Sequence, residues 1–157
     1  HYALPIYLFV DLGCGKGGTL YLVAFFFNVK QITGIERDTK IVDVCKQNLC
    51  NFKHVEIICD DVKEVSIFPT MNFFYMSNPF GSETMSCILE KIIISDRRYP
   101  REIYILYRNP VENDIILNKG FNLINSFVLK ALQGKKHWNY ESSPNERVNL
   151  YKLEKIT

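Results

Sequence analysis

Apolar residues along the chain fall into short runs separated by polar turns. Ile6 to Val10 is a continuous apolar run, which suits a parallel strand buried on both faces. A glycine cluster follows, then an apolar segment of helical length from Thr19 to Phe27. Gln31 to Ile35 reads as a second strand closing in Glu36. Asp38 or Thr39 can cap a helix carrying Ile41, Val44, Cys45, Asn48 and Leu49, whose spacings of three and four place them on one face. Val55 to Cys59 is a third strand, ending in Asp60-Asp61, and Met71 to Met76 a fourth, ending in Ser77-Asn78-Pro79-Phe80-Gly81. The next helix puts Met85, Ile88, Leu89 and Ile92 on one stripe. Glu102 to Leu106 is a fifth strand, closing near Tyr107-Arg108-Asn109-Pro110, and a short helix then stops at Gly120. Two further strands, Phe121 to Leu129 and Arg147 to Leu153, close the chain.

Strand and helix therefore alternate through five strands, which predicts a parallel sheet with helices on both faces. The last two strands have no helix between them, so they form a hairpin and the seventh strand is antiparallel. There is no internal repeat, low-complexity tract or linker. The 157 residues read as a single domain, 1–157, large enough for a substantial core.

Composition narrows the class. The balance of 47% apolar and 23% charged residues is that of a soluble globular protein. A net charge of +2 gives no global electrostatic case for nucleic acid, although a local basic patch stays open. The longest apolar stretch, Leu20 to Phe27, is too short for a membrane span, and the start has no basic region of a signal peptide. Five cysteines, an odd number, stand at 14, 45, 50, 59 and 87 with no CxxC pair and no zinc spacing. Cys45, Cys59 and Cys87 fall on apolar faces and read as reduced core residues of a cytoplasmic protein with no metal centre.

The segment most informative for function is Val10-Asp11-Leu12-Gly13-Cys14-Gly15-Lys16-Gly17-Gly18, set between an apolar strand and an apolar helix. Glycine lets the backbone turn tightly and lets a ligand approach, and the helix start offers unpaired N–H groups. Gly13, Gly15 and Gly18 satisfy G-x-G-x-x-G, the dinucleotide fingerprint. Gly13, Gly15 and Gly17 satisfy G-x-G-x-G preceded by an acid, here Asp11. That second form resembles motif I of class I methyltransferases. A carboxylate at the strand end suits a ligand bearing an ammonium group and is a poor neighbour for a pyrophosphate.

The next two strand ends support the same choice. Glu36 can accept both hydroxyls of a ribose, as in nicotinamide-dependent proteins too. Asp61, favoured over Asp60, can accept from an adenine amino group, and Val62 can offer its N–H to the ring. All three acids lie where ligands bind in such sheets, outside the C-terminal strand ends at the switch point. Lys16 either neutralises a carboxylate near the loop or points to solvent, and Cys14 is a small side chain beside the ligand.

Asn78-Pro79-Phe80-Gly81 looks like the Asn-Pro-Pro-Tyr type of turn in methyltransferases acting on planar nitrogen, with one proline replaced and glycine following. A closer resemblance is to a poorly characterised group of class I methyltransferases that combines Asp-x-Gly-x-Gly-Lys-Gly with Asn-Pro-Phe-Gly and a later Tyr-x-Asn-Pro, here Tyr107-Arg108-Asn109-Pro110. The resemblance implies a Rossmann-like seven-stranded sheet of order 3-2-1-4-5-7-6 and a chain trimmed at its N-terminus. It implies S-adenosylmethionine as cofactor, with S-adenosylhomocysteine as product, bound by Asp11, Gly13, Cys14, Gly15, Gly17, Glu36, Arg37, Asp61, Val62 and Asn78. Asn78, Pro79 and Phe80 would form the catalytic turn. The acceptor, through nitrogen or oxygen, could be a small molecule, a protein or RNA. His137 is a candidate base on position, and Lys135, Lys136, Trp138 and Tyr140 could hold an acceptor or simply form a solvated hairpin. A non-catalytic binding module and a fragment of an NAD-dependent oxidoreductase are the competing readings.

Overall fold

The computed structural model describes residues 8–77, 80–130 and 145–155. One seven-stranded sheet runs through them: β1 (Leu8–Leu12), β2 (Gln31–Glu36), β3 (Val55–Cys59), β4 (Phe73–Ser77), β5 (Tyr104–Arg108), β6 (Phe121–Lys130) and β7 (Asn145–Leu153). Their spatial order is β3-β2-β1-β4-β5-β7-β6, as the resemblance to class I methyltransferases implies. The first five strands pair in parallel, while β7 is antiparallel to both β5 and β6.

Alternation along the central strands separates two cores. Leu8, Val10 and Leu12 of β1, Phe74 and Met76 of β4, and Ile105 and Tyr107 of β5 join α3 (Ser82–Arg98) and α4 (Asn113–Asn118) on one face. Phe9, Phe73, Tyr75 and Tyr104 join α1 (Gly18–Phe26) and α2 (Thr39–Asn48) on the other. Burial on both sides explains why Leu8, Phe9 and Val10 of β1 fall in an apolar run, and the strand continues past that run through the buried Asp11 to Leu12. The stripe on α3 is the predicted one: Met85, Ile88, Leu89 and Ile92 are all buried, each worth roughly 1.5–3 kcal/mol of transfer free energy.

Three sequence expectations shift. On α2 the Asp38 cap is present, its carboxylate accepting from Lys40 N at 2.9 Å and Ile41 N at 3.2 Å. Its inward stripe is Val42, Cys45 and Leu49, with Val44 and Asn48 turned outward. The helix is rotated because Cys45 and Leu49 pack against Gly17, and Asn48 Nδ2 donates to Lys16 O at 2.9 Å. Strands β4 and β5 begin two residues later than their apolar runs, because Met71 and Ile103 are core residues lying ahead of the ladder. Cys45 is a core residue, but Cys59 is exposed on edge strand β3 and Cys87 half-buried, whereas Cys14 is buried; all five cysteines are free. Among the described residues no helix is long and apolar enough to cross a membrane.

Candidate functional site

The chain runs outward from β1 to β2 to β3, then returns to place β4 on the other side of β1. Connections diverge at that reversal, and an open crevice results at the C-terminal strand ends. A cleft of about 340 Å³ lies there. The end of β2 contributes Ile35, Glu36 and Arg37 to it, and the turn after β3 contributes Asp60 to Lys63. Gly13 forms part of the wall, and Phe80, Gly81 and Thr84, at the start of α3, complete it.

The glycine loop is fastened to β2 from two directions. Gly13 N and Cys14 N both donate to Ile35 O at 2.9 Å. Glu36 then uses its carboxylate: Oε2 accepts from Gly15 N at 3.2 Å, and Oε1 from Arg37 N at 2.9 Å and Asp38 N at 3.0 Å. Gly17 precedes α1 with φ of 83°, a left-handed conformation that disfavours other residues. A Cβ at that position would stand 2.8 Å from both Cys45 Sγ and Leu49 Cδ1. The third glycine of the motif is therefore required by packing on α2.

Asp11 is 3% exposed, and it sits behind the loop rather than on the cleft wall. Burial, reinforced by the negative charge of Glu36, raises its pKa to about 7. It has no ion-pair partner among the described residues. Cys14 also turns inward. A Cβ on Gly34 would lie 2.8 Å from its Sγ, and burial pushes both its thiol and that of Cys45 upward. Such thiols are poor nucleophiles.

Both acids after β3 line the cleft, Asp61 the less exposed of the two. Asp60 Oδ1 accepts from Asp61 N at 2.8 Å, and Asp61 Oδ1 from Lys63 N at 2.9 Å, which folds the segment into a tight turn. Lys91 of α3 braces that turn from below, its ammonium donating to Lys63 O and, at 2.8 Å, to Val65 O. At the same sheet edge, Arg108 makes a paired contact with Glu146, Nε to Oε1 and Nη2 to Oε2, each 2.7 Å, and also engages Tyr75.

Of the residues singled out from sequence, Gly13, Glu36, Arg37, Asp61, Val62 and Phe80 meet at one cleft. Gly15 joins them through Glu36, while Cys14 and Gly17 face α2 and Asp11 is buried in β1, off the cleft wall. Asn78 and Pro79 lie outside the described residues, as do Lys135, Lys136, His137, Trp138 and Tyr140. Sequence reasoning missed Lys63, Thr84 and Lys91. Thr84 carried a signal, being polar in the first turn of a helix that starts at the switch point. Lys91 carried none, since its partners are backbone carbonyls about thirty residues away in sequence.

The chain matches no protein-family model and no curated protein. Solved structures do resemble it. One is a Listeria monocytogenes protein assigned by inference as an S-adenosylmethionine-dependent methyltransferase, with 12% identity, TM-score 0.73, and coverage of 96% of this chain and 91% of that one. Another is an S-adenosylmethionine-dependent methyltransferase from Aquifex aeolicus, with 14% identity, TM-score 0.70, and coverage of 94% and 82%. A third, from Pyrococcus horikoshii and assigned by inference as an RNA methyltransferase, has 22% identity, TM-score 0.65, and coverage of 94% and 76%. The chain has the Rossmann-like methyltransferase fold. At such identities the likeness speaks for the architecture, and the expected strand order with its antiparallel seventh strand is part of it.

Proposed function

We propose that the protein is an S-adenosylmethionine-dependent methyltransferase that moves a methyl group to a nitrogen or oxygen of its acceptor. The observation that carries this reading is the convergence of Gly13, Glu36, Asp61 and Phe80 on one cleft at the switch point of the sheet. The groups present suit the donor chemically. In this reading Glu36 accepts the hydroxyls of a ribose diol, Asp61 accepts from the adenine amino group, and the Val62 N–H donates to the ring. The buried Asp11 lacks a cation among the described residues and gains one when an ammonium or sulfonium is bound nearby.

When bound, the donor supplies a methyl group already activated by the adjacent sulfonium charge. The task left to the protein is alignment of the acceptor and exclusion of water. A general base is needed only where the acceptor must lose a proton to become nucleophilic. In this reading Phe80 forms the apolar wall nearest the acceptor, and Asn78 with Pro79 completes the catalytic turn.

The test is calorimetric titration with S-adenosylhomocysteine and, separately, with NAD. Micromolar binding of the first with none of the second is expected. Binding of NAD alone, or of neither, would overturn the assignment.

A further inference from the structure

Helix α1 is apolar on the side that faces away from the sheet. Leu20 is fully buried, and a Cβ on Gly34 of β2 would stand 2.5 Å from its Cδ1, so the inward face of the helix is fixed by contact with β2. On the outward side Tyr21 is 44% exposed, Leu22 54%, Phe25 62%, Phe26 68% and the following Phe27 62%. Gly18, Tyr21, Leu22, Phe25 and Phe26 are spaced by three, one, three and one, a seam along one helix face. No residue from Gly18 to Phe26 is charged. The rings are already mutually ordered: Tyr21 stacks on Phe25 at 6.1 Å, Phe25 meets Phe26 edge-on at 4.9 Å, and Tyr21 meets Phe52 edge-on at 5.3 Å.

A helix that is apolar all round is ordinarily covered on every side, and a contiguous exposed patch of this kind marks a contact surface. We propose that α1 is the contact between two copies of this chain, paired about a twofold axis. Three considerations favour a second copy. Area is the first: at about 200 Å² per large side chain, these five expose roughly 600 Å² per copy, so two copies bury about 1,200 Å², the lower end of specific interfaces. Chemistry is the second: an uncharged, aromatic surface is complementary to itself, as a twofold contact requires. The third concerns the bilayer. Helices that lie in a membrane surface show it a basic polar face beside the apolar one, and α1 has no lysine or arginine, with its opposite face buried in the core.

Sedimentation equilibrium of the full chain over a micromolar concentration series tests this, with the double variant Leu22→Glu, Phe26→Glu and the control Phe127→Glu, which places a charge at a half-exposed site on edge strand β6. The expected result is a dimer for the native chain and for the control, and at least tenfold weaker association for the double variant, with far-ultraviolet circular dichroism and melting temperature unchanged. Concentration-dependent protection of Tyr21 and Phe25 in hydroxyl-radical footprinting of the native chain gives a second readout that needs no variant to fold. A monomeric native chain, a double variant that dimerises as before, dissociation by Phe127→Glu alone, or unchanged footprints would each overturn the proposal.

Discussion

Oε2 of Glu36 accepts the backbone N–H of Gly15 at 3.2 Å, so a single carboxylate ties the end of β2 to the glycine loop. The same carboxylate accepts two N–H groups leading into α2. Glu36→Gln keeps the volume and removes the charge. Hydrogen bonds to charged groups contribute about 1.5–3 kcal/mol, so affinity for S-adenosylhomocysteine should fall at least tenfold, with the melting temperature lowered by only a few degrees. Calorimetry and thermal melts on the same samples check both halves.

Asp11 makes stability depend on pH in the direction opposite to a salt-bridged acid. Its folded pKa of about 7 lies above the ordinary aspartate value of 3.8, so the folded state holds more protons than the unfolded one between those values. Stability therefore falls as pH rises through that window and levels off above it. Asp11→Asn should flatten the slope and be the more stable protein at alkaline pH, which denaturant titrations across the window would show. Binding of S-adenosylmethionine should strengthen as pH rises through about 7 in the native chain, since a cationic ligand favours the ionised carboxylate. That dependence should be absent in Asp11→Asn.

Lys91 braces the turn that carries Asp61 and Val62 without reaching the cleft itself. Lys91→Met retains the aliphatic stem and removes both hydrogen bonds. The expected result is about tenfold weaker binding of S-adenosylhomocysteine, and an equal loss for 5′-methylthioadenosine, which shares only the adenosine half. Partial recovery in Lys91→Arg is expected. Titrations with the two ligands decide whether the effect belongs to the adenine side.

Adjacent glycines should respond with opposite signs. Gly17→Ala forces a Cβ onto Cys45 and Leu49 at a φ of 83° and should cost about 1–3 kcal/mol. Gly18→Ala meets nothing within 4 Å and has an ordinary helical backbone, so it should stabilise by about 0.5–1 kcal/mol. Urea unfolding of the two variants measures both.

The sheet was legible in sequence because strand and helix differ in period and because each turn after β1, β2 and β3 carries residues that only a turn or a ligand explains. Continuous apolar runs fixed β1 and β4 to within two residues, and Met85, Ile88, Leu89 and Ile92 fixed the inward face of α3. The face of α2 was misread because Ile41 and Val44 are as apolar as Val42, and only the approach of Gly17 to Cys45 chooses among them. For the site, residue types at strand ends were readable, whereas the depth of Asp11 and the reach of Lys91 come from tertiary packing. The exposure of Cys59 likewise follows from the edge position of β3, which an apolar strand pattern does not reveal.

Every described residue on the cleft comes from the stretch between Gly13 and Thr84. Strands β5, β7 and β6 supply no described part of its wall, although Arg108 and Glu146 stand at the same edge. The chain thus divides its labour by position. On the proposed function, the donor site draws on the stretch from Gly13 to Thr84, while β5, β7 and β6 contribute to the core behind it. The Arg108–Glu146 pair at this edge can then change without altering the described cleft wall, whereas the buried Ile116, Phe121 and Tyr151 share one core with β1 and α3 and cannot.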